Sequence, residues 1–376
     1  MSHYDIRSVM VEHLYIHVPF CHRICPYCSF YKHTFGNINQ TELVKSVLNE
    51  ISISNDCYEF NIKTIYLGGG TPTALSRKNL ESLLSGINKI LNLKSLEEWG
   101  IEINPSTCDL KKARMIKGQG VTRTSLGIQS WNESTLKTLG RDHSPRGAEK
   151  SFEILKSCDF KSLNIDLMFS IPGQSIMSWE EDLNKTISLA PDHISAYNLN
   201  YEEDTEFFER LKKGDFYEDP EKDGDHFSLA METLIESGYE HYEISNYAQQ
   251  GHRSKHNSSY WKGKDYLGIG PGAFSTVNGK RWRNVPDTKK YMAQLINNKT
   301  NTIETEHEII DDSSFRVERI ALQLRTSDGL DLHYIKNNLD KAKELESDGL
   351  IVISNDTIQL TTQGKMLADS VASHLI

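Results

Sequence analysis

Six short runs rich in β-branched and aliphatic residues alternate with helical patterns through the first 200 residues: Leu14–Val18, Lys63–Leu67, Ile101–Ile103, Arg123–Gln129, Leu163–Phe169 and His193–Leu199. The stretches between them carry helix start signals. Ser144-Pro145 pairs an N-cap with proline at the first helical position, where the missing N–H costs nothing. Ser178 with Glu181 three residues later has the form of a capping box. A strand followed repeatedly by a helix predicts α/β architecture, a parallel sheet with helices packed outside it. Six units are too few to close a full barrel, so the expected form is an open, partial (β/α)6 barrel.

Beyond Tyr201 the pattern changes. Tyr201–Asp225 holds eleven acidic and four basic side chains and predicts solvated helix and connecting loop. A Tyr- and His-rich segment then runs from near His226 to about Thr300. From about Asp311 to Ile376 the expectation is three helices and a two-stranded ribbon, Leu350–Ile353 and Thr357–Leu360, turned by Ser354-Asn355-Asp356. That is the outline of a winged-helix-like unit closing an α+β C-terminal region. The 376 residues suit two or three domains at roughly 150 residues each. The breaks in pattern divide them into 1–200, 201–310 and 311–376.

Charge and cysteine usage narrow the function. A winged helix suggests DNA, yet residues 311–376 hold 11 acidic against 7 basic side chains, and the whole chain has a net charge of −10. Contact with phosphates needs the opposite balance, so no nucleic-acid partner is expected. No apolar run approaches the ~18 residues of a membrane span and no basic-then-apolar leader opens the chain, which predicts a cytoplasmic protein. Six cysteines in a chain of this size do not make a disulfide scaffold. Cys57, Cys108 and Cys158 are scattered and read as packed thiols. The other three lie within eight residues, at Cys21, Cys25 and Cys28.

Three thiolates spaced C-x3-C-x2-C at the end of a strand suit three corners of a cubane iron–sulfur cluster, since thiolates favour soft, sulfide-bridged iron. The fourth iron then keeps a position open for an exchangeable ligand. A closed zinc tetrahedron, with His17, His22 or His33 as fourth ligand, is the competing reading of the same spacing. Downstream, Gly68-Gly69-Gly70-Thr71-Pro72 follows the second strand, where glycines let backbone approach a ligand closely. No lysine follows in the Walker position, so a nucleoside-triphosphate loop is not supported. Glu102, Gln129, Arg141 and Asp166 sit at or near the ends of later strands, where barrel proteins gather ligand-binding side chains. Two carboxylates there can accept hydrogen bonds from ribose or ammonium groups, and a guanidinium can pair with a carboxylate.

The stretch from Tyr15 to Phe30 resembles the signature of the radical S-adenosylmethionine (SAM) superfamily. The implied fold is a partial (β/α)6 radical SAM barrel. In that family a [4Fe-4S] cluster on three cysteines binds SAM at its open iron, and one electron from the cluster breaks a carbon–sulfur bond. The resemblance implies Cys21, Cys25 and Cys28 as cluster ligands and the Gly69-Gly70-Thr71 segment as a contact for the SAM amino group. The segments Ile101–Pro105, Leu126–Gln129, Gly140-Arg141 and Asn164–Leu167 are similar to the SAM-contacting set of the HemN-like branch. On that resemblance Tyr15, Glu102, Gln129, Arg141 and Asp166 would hold SAM, with Asn200 and Phe274 aligned more loosely. Asp265–Gly272 would help close that site through Phe274.

The branch contains at least two functions, oxygen-independent coproporphyrinogen III oxidase and haem chaperone. The oxidase has a fourth cysteine two residues after the third, and here that position is Phe30. It also has a long N-terminal arm, where this chain has about a dozen residues before Tyr15. His256-Asn257-Ser258-Ser259-Tyr260-Trp261 matches the HNxxYW motif of the chaperone group. A neutral imidazole is a usual axial haem ligand, and two aromatic rings beside it offer flat faces to a porphyrin; a hydrogen-bonded core histidine beside two core aromatics is the plain alternative. The resemblance therefore implies a haem chaperone with haem and SAM as ligands, His256 on the haem iron and no catalytic residue assigned. It also implies a homodimer, an acceptor protein that the sequence leaves unnamed, and peripheral membrane contact through that acceptor.

Overall fold

The structure is a computed structural model and describes residues 9–296 and 303–376. Strand β1 (Met10–Val18) leads through the cysteine loop to α1 (Gln40–Cys57). The alternation continues as β2 (Glu59–Gly69), α2 (Arg77–Ile90), β3 (Glu98–Ile103), α3 (Leu110–Gly118), β4 (Arg123–Gln129), α4 (Glu133–Thr138), α5 (Pro145–Lys156), β5 (Ser162–Phe169), α6 (Ile176–Leu189) and β6 (His193–Asn198). These six strands pair in chain order and all in parallel. The expected partial (β/α)6 barrel is the observed one.

Helix starts follow from short polar caps. Side-chain oxygens of Asn39, Ser76, Asp109, Asn132, Ser144 and Ser175 each accept an N–H of the first turn of α1 to α6, satisfying donors that have no partner inside the helix. Pro145 stands at the first position of α5, as expected. The capping box expected at Ser178 is displaced by one turn. Gln174 N–H donates to Ile171 O at 2.9 Å, so the chain has already turned by Ser175, whose hydroxyl accepts from Ser178 N–H at 3.2 Å.

After α7 (Glu206–Lys212) and α8 (Pro220–Glu236) come β7 (Glu240–Glu243), β8 (Asn246–Ala248), α9 (Lys255–Trp261), β9 (Leu267–Ile269), β10 (Phe274–Val277), β11 (Lys280–Asn284), α10 (Thr288–Ile296) and β12 (Glu304–Ile309). Strands from this segment extend both edges of the barrel sheet. β8 lies antiparallel to β6 with β7 outside it, and β9 lies parallel to β1. His226 does not start a segment: it is buried within α8, while Thr300 lies outside the described residues. Nor is Tyr201–Asp225 solvated throughout. Phe207 of α7 is fully enclosed against Leu139, Met168, Ile171 and Leu199, with Tyr27, Tyr201 and Phe216 packed on the cluster. The acidic residues cover an apolar underside that faces the cysteine loop.

The last unit is α11 (Asp312–Leu324), β13 (Leu330–Asp331), α12 (Leu339–Ser347), β14 (Ile351–Ile353), β15 (Thr357–Leu360), α13 (Thr362–Met366) and α14 (Ala368–Leu375). Three helices and a two-stranded ribbon were expected; the unit has four helices, and the ribbon β14–β15 is present. A third strand, β13, joins it by pairing Leu330 with Ile358. The unit has its own core, including Ile320, Leu324, Leu330, Ile335, Ile358 and Leu375. It meets the barrel at β7 and α9, where Ile244 N–H donates to Arg325 O and Arg319 Nη1 donates to Lys262 O. Of the three scattered cysteines, Cys108 is buried as expected, but Cys57 is exposed at the end of α1.

Candidate functional site

In a parallel sheet the strand ends gather side chains at one rim, and successive inward residues repeat every two positions. A cavity of about 450 Å³ runs down from that rim here. Its mouth carries Cys21, Cys25 and Cys28, which lie between β1 and α1 as free thiols. The loop is pinned at both ends: Cys21 N–H donates to His33 O at 3.1 Å and His33 N–H to Pro19 O at 2.9 Å. Phe207 N–H donates to Pro26 O, and the Tyr27 ring packs on Phe207. Burial pushes the Cys21 thiol up to about 11 and raises Cys28 as well. Such thiols keep their protons until a cation replaces them.

The glycine segment after β2 is laid directly on the backbone that enters the loop. Gly70 N–H donates to Val18 O and Thr71 N–H to Phe20 O, and Thr71 Oγ1 lies 3.8 Å from Cys21 Sγ. A Cβ at Gly70 would come within 2.7 Å of Phe20 O, and Gly69 adopts φ +103°, so this approach requires glycine. Glu102, Gln129, Arg141 and Asp166 all line the cavity, and exposed Asn200 stands at its rim. Burial and then the neighbouring Asp166 push the Glu102 carboxyl up to about 8, while the Tyr66 hydroxyl and the Gly69 N–H pull it down. Burial also raises Asp166, against hydrogen bonds from Ser125 and Asn164. Arg141 reaches Gly127 O at 2.7 Å and Cys25 Sγ at 3.6 Å, while its buried Nε has no partner among the described residues.

Three expected residues stand outside the cavity. The Tyr15 hydroxyl and His17 Nδ1 share a 2.9 Å hydrogen bond, and His17 Nε2 donates to Tyr31 O at 2.7 Å. Tyr15 thus braces the far end of the cysteine loop from behind. Phe274 is 41% exposed and lies under the Arg283 guanidinium rather than over the site. His256 is fully enclosed, its Nδ1 2.7 Å from Thr64 Oγ1 and its Nε2 2.8 Å from the Tyr260 hydroxyl. Both ring nitrogens are engaged and the residue is enclosed, the arrangement that the plain reading of a core histidine describes. Burial holds it near 3, hence neutral. Of the three histidines in the zinc reading, His17 and His33 likewise have both nitrogens hydrogen-bonded, while His22 stands exposed at the cavity wall.

Apart from Gln129 and Asp166, the residues of the lower cavity were not expected from the sequence. Arg123, Ser125, Gly127 and Gln129 on β4, Asn164, Asp166 and Met168 on β5, and His193, Ser195 and Tyr197 on β6 all line it. Their spacing of two was the available signal, a polar inward face running along three consecutive strands.

A family model described as the radical SAM superfamily matches residues 15–186. The heme chaperone HemW of Bacillus subtilis (strain 168) is 34% identical to the chain over 369 residues, 95% of this chain and 97% of that one. The chain belongs to the radical SAM superfamily. Within its HemN-like branch the HemW of Escherichia coli (strain K12) is 36% identical over 280 residues, 73% of each chain. The solved structure of coproporphyrinogen III oxidase (HemN) from Escherichia coli shares the fold, with a TM-score of 0.82 over 98% of this chain and 90% of that one at 20% identity. Radical SAM membership implies a [4Fe-4S] cluster and SAM, and the residues present fit both. The donor set is three free thiols at the mouth. Below them two half-buried carboxylates and a guanidinium with a spare Nε suit a ligand that carries ammonium, hydroxyl and carboxylate groups together.

Proposed function

We propose that the chain is a haem chaperone that carries a [4Fe-4S] cluster with SAM and delivers haem to an acceptor protein. The observation that carries this reading is similarity to HemW proteins along almost the whole of both chains, 97% of the Bacillus subtilis relative. Phe30 supports it, standing 68% exposed at the cavity wall where the oxidase has its fourth cysteine.

In this reading Cys21, Cys25 and Cys28 hold the cluster. Gly69, Gly70 and Thr71 receive the SAM amino group. Glu102 and Asp166 accept hydrogen bonds, and Arg141, with Gln129 and Asn200 beside it, receives the carboxylate. Tyr15 acts through His17 on the cysteine loop. When bound, cluster and SAM supply one-electron chemistry at a carbon–sulfur bond; the chain positions them and keeps competing reactants out. Haem binds without His256 as its ligand. The same reading carries a cytoplasmic homodimer and peripheral membrane contact through the acceptor, checked by sedimentation and by fractionation with acceptor present. No helix among the described residues is long and apolar enough to cross a membrane.

Anaerobically reconstituted protein is expected to take up about four irons per chain. Its electron paramagnetic resonance (EPR) signal should change with SAM, and hemin should give a haem absorption band. Zinc in place of iron and sulfide overturns the cluster. Absence of a hemin band overturns the chaperone, and so does conversion of coproporphyrinogen III to protoporphyrinogen, which establishes the oxidase.

A further inference from the structure

The HNxxYW helix α9 lies at the opposite end of the cavity from the cysteines, and its contacts show what it touches. Ser254 and Asn257 line the cavity floor. The helix N-terminus is tied to the barrel by Glu98, the first residue of β3. Its carboxylate accepts from His256 N–H at 2.9 Å, from Lys255 N–H at 3.0 Å and from the Ser254 hydroxyl at 3.4 Å.

The His256 ring is held at both nitrogens and stacked on Tyr66 of β2, with centroids 5.3 Å apart and planes 15° from parallel. Thr64 Oγ1 stands between His256 Nδ1 and His13 Nδ1, at 2.7 and 2.8 Å. A hydroxyl has one proton to give, so one of these imidazoles accepts at Nδ1 while the other donates. The Tyr66 hydroxyl in turn donates to Glu102 Oε1 at 3.2 Å. Glycines leave the room this arrangement needs. A Cβ at Gly100 would lie 2.6 Å from the Tyr66 ring, and one at Gly68 would lie 2.7 Å from Glu102 Oε1.

We propose that α9 is the floor of the SAM cavity and that His256 is a positioning residue, clamping the Tyr66 ring so that its hydroxyl orients Glu102 toward the ligand. The inference rests on the reading of Glu102 as a SAM contact. It gives the motif a role in SAM binding and not in haem ligation. Thr64 and Tyr260 lock the imidazole, Glu98 holds the backbone N–H of the same residue, the imidazole backs the phenol, and the phenol holds a half-buried carboxylate at the cavity wall. A hydrogen bond to a carboxylate is among the stronger kinds, so its misplacement registers as a measurable loss of affinity.

The test uses the full chain, reconstituted anaerobically and reduced, titrated with SAM and followed by the EPR signal of its cluster, with a parallel hemin titration. His256→Ala and Tyr66→Phe are each expected to weaken SAM binding about tenfold. The double variant should be no weaker than the weaker single one, because both break one chain of contacts. Iron content and the hemin band should match the unaltered protein. SAM affinity unchanged in both variants, or additive losses in the double variant, overturns the proposal. So does a hemin band lost in His256→Ala while SAM affinity holds. If His256→Ala fails to retain iron, Tyr66→Phe decides alone, since it removes one hydroxyl and keeps the ring. Failure of the unaltered chain to bind SAM would instead overturn the reading of Glu102 itself.

Discussion

The two ends of the cavity are built on opposite principles. At the mouth and on the wall below it, three cysteines are unbridged, Arg141 Nε is unpartnered among the described residues, and the half-buried Glu102 and Asp166 have their carboxyls pushed up. At the floor, His256 is saturated by Thr64, Tyr260 and Glu98. Buried polar groups cost free energy unless paired, so a shortfall sustained by a fold marks where a ligand completes it. A saturated histidine marks framework, however strongly its motif suggests a metal.

Variants at the two ends should separate accordingly. The largest effect is expected for Cys25→Ala, which should reduce bound iron from about four per chain to nearly none; iron unchanged in that variant would erase the distinction. Next, Phe207→Ala removes the ring beneath Tyr27 and should destabilise the chain by about 3 to 4 kcal/mol, as for large core truncations. Chemical denaturation measures that loss, and faster release of iron should accompany it because the cysteine loop loses its brace.

At the floor, Glu98→Ala strands three donors at the start of α9 and should cost about 2 to 3 kcal/mol of stability, with iron uptake unaffected.

The ends should also answer pH in opposite directions. Glu102 titrates near 8 in the folded chain against 4.5 for an ordinary glutamate. The folded state therefore holds a proton that the unfolded state releases, and this contribution to stability is lost as pH rises from about 4.5 through about 8. His256 titrates near 3 against 6.5, so the unfolded state gains a proton first and stability is lost as pH falls below about 6.5. Thermal midpoints of Glu102→Gln, relative to the unaltered chain, should improve as pH rises across its window. Those of His256→Gln should improve as pH falls across the other; parallel curves would contradict both assignments. The smallest effect is expected for Asp328→Asn. That residue bridges Arg253 and Lys262 on the exposed seam with the C-terminal unit, and such surface pairs are worth under about 1 kcal/mol. Urea titration at two salt concentrations would measure it.

Much of the site is legible in the sequence. The alternation of strands and helices gave the barrel, and the cysteine spacing together with the glycine triplet gave the mouth. Glu102, Gln129, Arg141 and Asp166 were singled out as polar residues expected near strand ends and were tied to SAM only by the resemblance to the HemN-like branch; Arg141 in fact follows α4. Arg123, Asn164 and His193 were missed although they share the spacing of two along these strands, because they lie near the starts of their strands, where no chemistry was sought. Phe207 and the underside of Tyr201–Asp225 were hidden by the surrounding acids, since a charge count averages over faces that folding separates.

Local chemistry in the chain is sufficient to choose helix caps, strand order and a trio of sulfur donors, because each depends on neighbours a few residues away or on a repeating pattern. Whether an imidazole has a lone pair to spare is a different kind of question. It was settled by Thr64, 192 residues away in the chain, together with Tyr260 one turn along the same helix. Saturation of a polar group is a property of all the surfaces that close around it, and only the assembled barrel brings those surfaces together.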